Sequence, residues 1–84
     1  MKLVYFSWIR ERVGVGEEEI ALPDDVATIG DLLAWLKGRD EAFANVFRHD
    51  KVVRVAVDHE HVEDRDTVIA GAREIALFPP MTGG

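Results

Sequence analysis

A four-position apolar stripe, Ile29, Leu32, Leu33 and Leu36, constrains this chain more than any other feature. The spacing i, i+3, i+4, i+7 puts all four side chains on one side of an α-helix, so they need a surface to bury against. Thr28 stands where an N-cap belongs, Asp31 three residues on completes a capping-box-like pair, and Gly38 is placed as the stop. One amphipathic helix of about three turns is predicted, with Trp35 beside its stripe.

The flanking segments read as strands. Lys2 to Ile9 is rich in β-branched and aromatic residues, with Leu3, Tyr5 and Ser7 on one face and Val4, Phe6 and Trp8 on the other. Two largely apolar faces predict an interior strand. Arg10-Glu11-Arg12 turns polar, Gly14-Val15-Gly16 marks a loop, and Glu17 to Leu22 forms a second strand with Ile20 and Leu22 on one face. The two make a β-hairpin with a longish connection. Pro23-Asp24-Asp25 ends it. Past the helix, Ala42, Phe43, Val46 and Phe47 suggest a short helical turn that adds to the core. Val52 to Val57 is a strand, Asp58 to His61 a turn, Val62 the start of a short strand, and Val68-Ile69 a buried piece before Gly71. Arg73 to Phe78 is the last strand, with Ile75 and Leu77 on one face.

The order β-β-α-β-(β)-β predicts an α+β domain, with the helix long enough to cross over and leave a central parallel pair. This is the ubiquitin-like β-grasp pattern: a mixed sheet of four to five strands with one main helix packed on one face. The domain is expected over residues 1–78, with the last strand inside the sheet and 79–84 as a flexible tail. A chain of 84 residues, 48% hydrophobic and 31% charged, suits one small domain. A net charge of −6 without a basic stripe argues against nucleic acid and anionic membrane as partners. The absence of cysteine removes disulfides, thiolate nucleophiles and thiolate metal sites. The start lacks a signal-peptide layout and no apolar run has bilayer length, so the expected location is the cytoplasm.

The closing run Phe78-Pro79-Pro80-Met81-Thr82-Gly83-Gly84 is expected to carry the function. The last charged side chain is Glu74, so the tail is an uncharged arm ending in an α-carboxylate at Gly84. Gly83 and Gly84 have no Cβ to block close approach to a pocket wall, and Pro79-Pro80 stiffens the exit. Six residues beyond Phe78 reach at most about 20 Å. A carboxylate with a pKa of about 3.3–3.7 is ionised at neutral pH and a poor electrophile, so it must be activated before a nucleophile attacks. This chain has no Gly-x-x-x-x-Gly-Lys loop, so ATP and Mg are expected at a partner and no cofactor on this chain.

These residues resemble a known family. Val4-Tyr5-Phe6-Ser7 with Arg10-Glu11 and Gly14, then Ala27-Thr28-Ile29-Gly30-Asp31-Leu32-Leu33, and above all Ile75 to Gly84 with its double proline and double glycine, are similar to the molybdopterin synthase small subunit, a ubiquitin-like sulfur carrier. Relatives tend to have Asn where this chain has Asp58. The resemblance implies a subunit without catalysis of its own. Gly84 would be adenylylated by an E1-like adenylyltransferase and converted to a thiocarboxylate with sulfur from a donor enzyme. It would then give that sulfur to cyclic pyranopterin monophosphate inside the large synthase subunit, in a heterotetramer of two small and two large chains. Met81, Thr82 and Gly83 would thread the channel, with Phe78 and Phe6 touching the partner.

Other patterns are weaker. His59 and His61 with Asp58 and Glu60 form a loose metal-like cluster, but two histidines at i, i+2 on a turn read better as a solvated turn, so no metal is assigned. Glu17-Glu18-Glu19 and Asp24-Asp25 read as solvated charge, and Trp8 and Trp35 as core or sheet cover. Two alternatives stay open: a β-grasp sulfur carrier for thiamin or tRNA thiolation or protein tagging, and a binding module with an inert tail.

Overall fold

The computed structural model describes residues 1–48 and 50–80. Its elements are β1 (Lys2–Tyr5), α1 (Ser7–Val13), β2 (Glu17–Glu19), α2 (Ile29–Lys37), α3 (Glu41–Phe47), a 3-10 turn (Asp50–Val52), β3 (Arg54–Val57), β4 (Glu60–Val62) and β5 (Glu74–Phe78). They build a five-stranded sheet in the order β2-β1-β5-β3-β4. β1 and β5 run parallel, and every other pair is antiparallel. The last strand is therefore the middle one.

The leucine stripe explains the layering. Ile29, Leu32, Leu33 and Leu36 are all buried on α2. They meet Leu3 and Tyr5 of β1, Val55 of β3, and Ile75 and Leu77 of β5 in one core. The register sets Leu3 beside Ile75, and Tyr5 and Val55 beside Leu77, so the inward residues of three strands share one face. Thr28 caps α2: its hydroxyl accepts from the Asp31 N–H at 3.2 Å, while the Asp31 carboxylate accepts from Thr28 and Ala27. Those two backbone donors hold the Asp31 carboxyl below its ordinary value, Ala27 first. Gly38 is the C-cap, with an unremarkable φ of −89°.

Several expectations need correction. The first strand stops at Tyr5, Phe6 is the extended N-cap of α1, and residues 7–12, expected as strand and polar turn, belong to α1. Ser7 adopts a left-handed φ of 57°, which breaks the strand and starts the helix. Ile9 then enters the core and Val13 packs against it, an i, i+4 pair. Gly14, at φ 90°, closes α1 by donating to the Arg10 carbonyl. The hairpin of β1 and β2 thus has a helix in its connection, and β2 spans Glu17–Glu19 only. The helical layer contains two short helices beside the main one. α3 buries Phe43, Val46 and Phe47 and leaves Ala42 exposed. Val52 lies in the 3-10 turn, Val62 ends β4 instead of starting it, and Val68 is exposed while Ile69 is buried. Asp58 and His59 take positive φ, the geometry of a tight two-residue hairpin turn between β3 and β4.

Glu18 is not simply solvated. Its carboxylate accepts from the buried Tyr5 hydroxyl at 2.6 Å and from both Arg39 guanidinium nitrogens, at 2.7 and 3.1 Å. Arg39 in turn lies over the Trp35 and Phe43 rings. The Arg39 hydrogen bonds come first in holding the Glu18 carboxyl down, whereas burial comes first in pushing the Tyr5 hydroxyl up. Trp8 on α1 and Trp35 on α2 pack partly buried against the core.

Candidate functional site: the uncovered sheet face beside the tail

The helices cover one face of the sheet. The opposite face is built by the alternate residues of β1, β3 and β5. The register aligns Val4, Ala76 and Ala56 in one row. Small side chains in that row leave a depression. At one end stand Phe78, which pairs with Arg54, and Phe6; toward the other end Glu74 pairs with Lys2. The result is an open cavity of about 630 Å³ lined by Phe6, Ala56, Ala76, Phe78, Pro79 and Pro80, with Ser7, His59 and Glu74 completing it.

Each aromatic wall has a local cause. Phe6 still donates its N–H to the Leu77 carbonyl at 3.1 Å, so its backbone is held to β5. The turn at Ser7 follows at once, and the Phe6 side chain is left 49% exposed. Phe6 is the bulkiest of the large apolar side chains left exposed among the described residues. Phe78 is half-buried, and its ring meets His61 edge-on at 5.7 Å. Pro79 and Pro80 follow directly on the middle strand, so the exit of the tail is fixed to the most supported part of the sheet.

Of the residues expected to work, Phe6, Phe78, Pro79 and Pro80 thus come together at one cavity. Met81, Thr82, Gly83 and Gly84 lie outside the described residues. Glu74, His59, Ala56 and Ala76 were missed. The signal for Glu74 and Ala76 was present: with Ile75 and Leu77 inward, period 2 puts Glu74, Ala76 and Phe78 together outward. Asp58 has a definite structural task. Its carboxylate accepts from the N–H groups of Arg73 and Glu74, both at 2.9 Å, and so anchors the start of β5. Those bonds, Glu74 first, hold its carboxyl below the ordinary value. Among the described residues, no three His, Asp or Glu side chains converge as metal ligands would, and no helix is long and apolar enough to cross a membrane.

A mixed sheet with parallel β1 and β5, a helix crossing one face and a C-terminal middle strand defines the ubiquitin-like β-grasp class. The chain belongs to the ThiS family, whose profile matches residues 3–84. It is 33% identical to the molybdopterin synthase sulfur carrier subunit of Chlamydomonas reinhardtii, over 100% of this chain and 98% of that protein. It is 27% identical to the Escherichia coli protein of the same name, over 100% and 99%. Among solved structures, a Pyrococcus furiosus protein with the provisional name molybdopterin converting factor, subunit 1, superposes with a TM-score of 0.74 at 30% identity, covering 95% of each chain. SAMP1 from Haloferax volcanii gives 0.73 at 30% identity, over 99% and 97%.

Proposed function

We propose that this protein is the sulfur carrier subunit of molybdopterin synthase. The observation that carries the proposal is end-to-end similarity to proteins of that name, 33% identical across the whole chain in one case. The proposed chemistry lies at Gly84. A carboxylate oxygen attacks the α-phosphate of ATP in an adenylating partner and pyrophosphate leaves. A sulfide-level nucleophile supplied by a donor then attacks the acyl carbon and displaces AMP, giving a thiocarboxylate. The thiocarboxylate sulfur bonds to cyclic pyranopterin monophosphate in the active site of the large subunit, water cleaves the acyl–sulfur bond and returns the Gly84 carboxylate, and two loaded chains supply the two sulfurs of one dithiolene. In this scheme the side chains of the carrier do no acid–base work. Gly83 and Gly84 give access, Pro79 and Pro80 lower the entropy lost when the tail is ordered, and Phe6 and Phe78 anchor the partner.

The test is the intact mass of the chain after incubation with an adenylating enzyme, ATP and a sulfur donor. The expected product is heavier by the difference between sulfur and oxygen, located at Gly84. An unchanged mass overturns the proposal. A second reading is a β-grasp carrier that tags proteins, which the similarity to SAMP1 supports only weakly. Dithiolene formed on the pterin by thiocarboxylated chain plus large subunit supports the first; none formed, with conjugates to other proteins instead, supports the second.

A further inference from the structure

Glu74 is a carboxylate at one end of the uncovered sheet face, in a cavity walled mainly by Phe6, Ala56, Ala76, Phe78 and the two prolines, and its side chain is 22% exposed. Two cationic neighbours stand near it among the described residues. Lys2 is 4.0 Å away and closer to Glu17, at 3.2 Å. His59 is 3.7 Å away, is 82% exposed, and carries charge only when protonated. Neither is a dedicated partner. A protein that covers Phe6, Ala76 and Phe78 must also strip water from this carboxylate, and the Lys2 ammonium, shared with and closer to Glu17, only partly offsets the cost of burying that charge. The whole chain is acidic as well, at −6.

We infer that the docking face takes a partner surface whose apolar contact is tipped by one basic side chain, Lys or Arg, which pairs with Glu74. Phe6 and Phe78 supply contact area, and Glu74 selects the partner by charge. The inference rests on the proposed carrier function, with the large synthase subunit as the covering protein.

Binding of the full chain to its cognate large subunit, measured by titration calorimetry at several salt concentrations, tests it. Glu74→Gln keeps the backbone N–H that Asp58 holds and nearly the same volume. Its Kd is expected to rise at least about ten-fold, because the basic group of the partner is then buried alone, and binding should depend less on salt. Glu74→Lys should abolish binding. Phe6→Ala is expected to weaken binding with the salt dependence unchanged. Circular dichroism melts of each variant exclude loss of fold. Glu74→Gln binding that equals or exceeds wild type overturns the inference and leaves the carrier function standing. Failure of the wild-type chain to bind overturns both.

Discussion

Tyr5 shows how one polar atom is accommodated inside an apolar layer. Its ring is core, yet its hydroxyl reaches Glu18, which Arg39 grips from the other side. This links β1, β2 and the end of α2 without leaving a buried polar side-chain atom unpaired among the described residues. Tyr5→Phe removes one hydrogen bond and should cost about 1 kcal/mol. A fall in Tm of roughly 4–8 °C is expected in a thermal melt for a domain this small. Asp58 makes a pH prediction. Its folded pKa lies below the ordinary 3.8, so its contribution is fully present above that pH and is lost as pH falls through the folded value. Asp58→Asn keeps an acceptor for the Arg73 and Glu74 N–H groups but does not titrate. Melts between pH 2 and 5, roughly the range where carboxylates titrate, should show a shallower acid loss in the variant. Identical acid limbs would remove Asp58 from the account.

At the scale of elements, α2 stands on agreement between levels. The stripe, the capping box and the burial all specify one helix. Thr28→Ala breaks the box at the hydroxyl and should cost about 1 kcal/mol, whereas Thr28→Ser should cost little. Urea unfolding midpoints of the two variants decide this; equal losses would mean that the methyl group matters more than the hydroxyl. α1 is the opposite case. Ser7 to Val13 contains residues that favour strands, and Phe6, Trp8 and Ile9 together outweigh the helical signals in a local reading. Those signals existed: the Ile9 and Val13 spacing, Arg10 and Arg12 in the last turn, and Gly14 as the left-handed cap. The strand ends because the chain turns over the end of the sheet once Phe6 has made its bond to Leu77.

For the whole molecule, the core is complete before the tail begins: every buried apolar residue described lies at or before Leu77. Deleting Gly84, or adding one residue after it, should therefore abolish sulfur transfer and leave Tm unchanged. Parallel assays of dithiolene formation and thermal melting check this, and full transfer by the lengthened chain would end the proposal for Gly84. β5 is flanked on both sides, by β1 and β3, so the strand that leads to Pro79 and Pro80 cannot peel from an edge.

The sequence by itself determined α2 with both ends, the alternation that puts Ile75 and Leu77 on one face of β5, and the character of the closing Pro-Pro-Met-Thr-Gly-Gly run. These rest on local periodicity and on residues with restricted backbones, and such signals need no distant neighbour. Only the tertiary structure decided where β1 stops, that Glu18 is claimed by Tyr5 and Arg39, and that Phe6, Ala76, Phe78 and Glu74 share one uncovered face. Those outcomes depend on strand order and register, which bring together residues some seventy positions apart, and no spacing along the chain encodes that meeting.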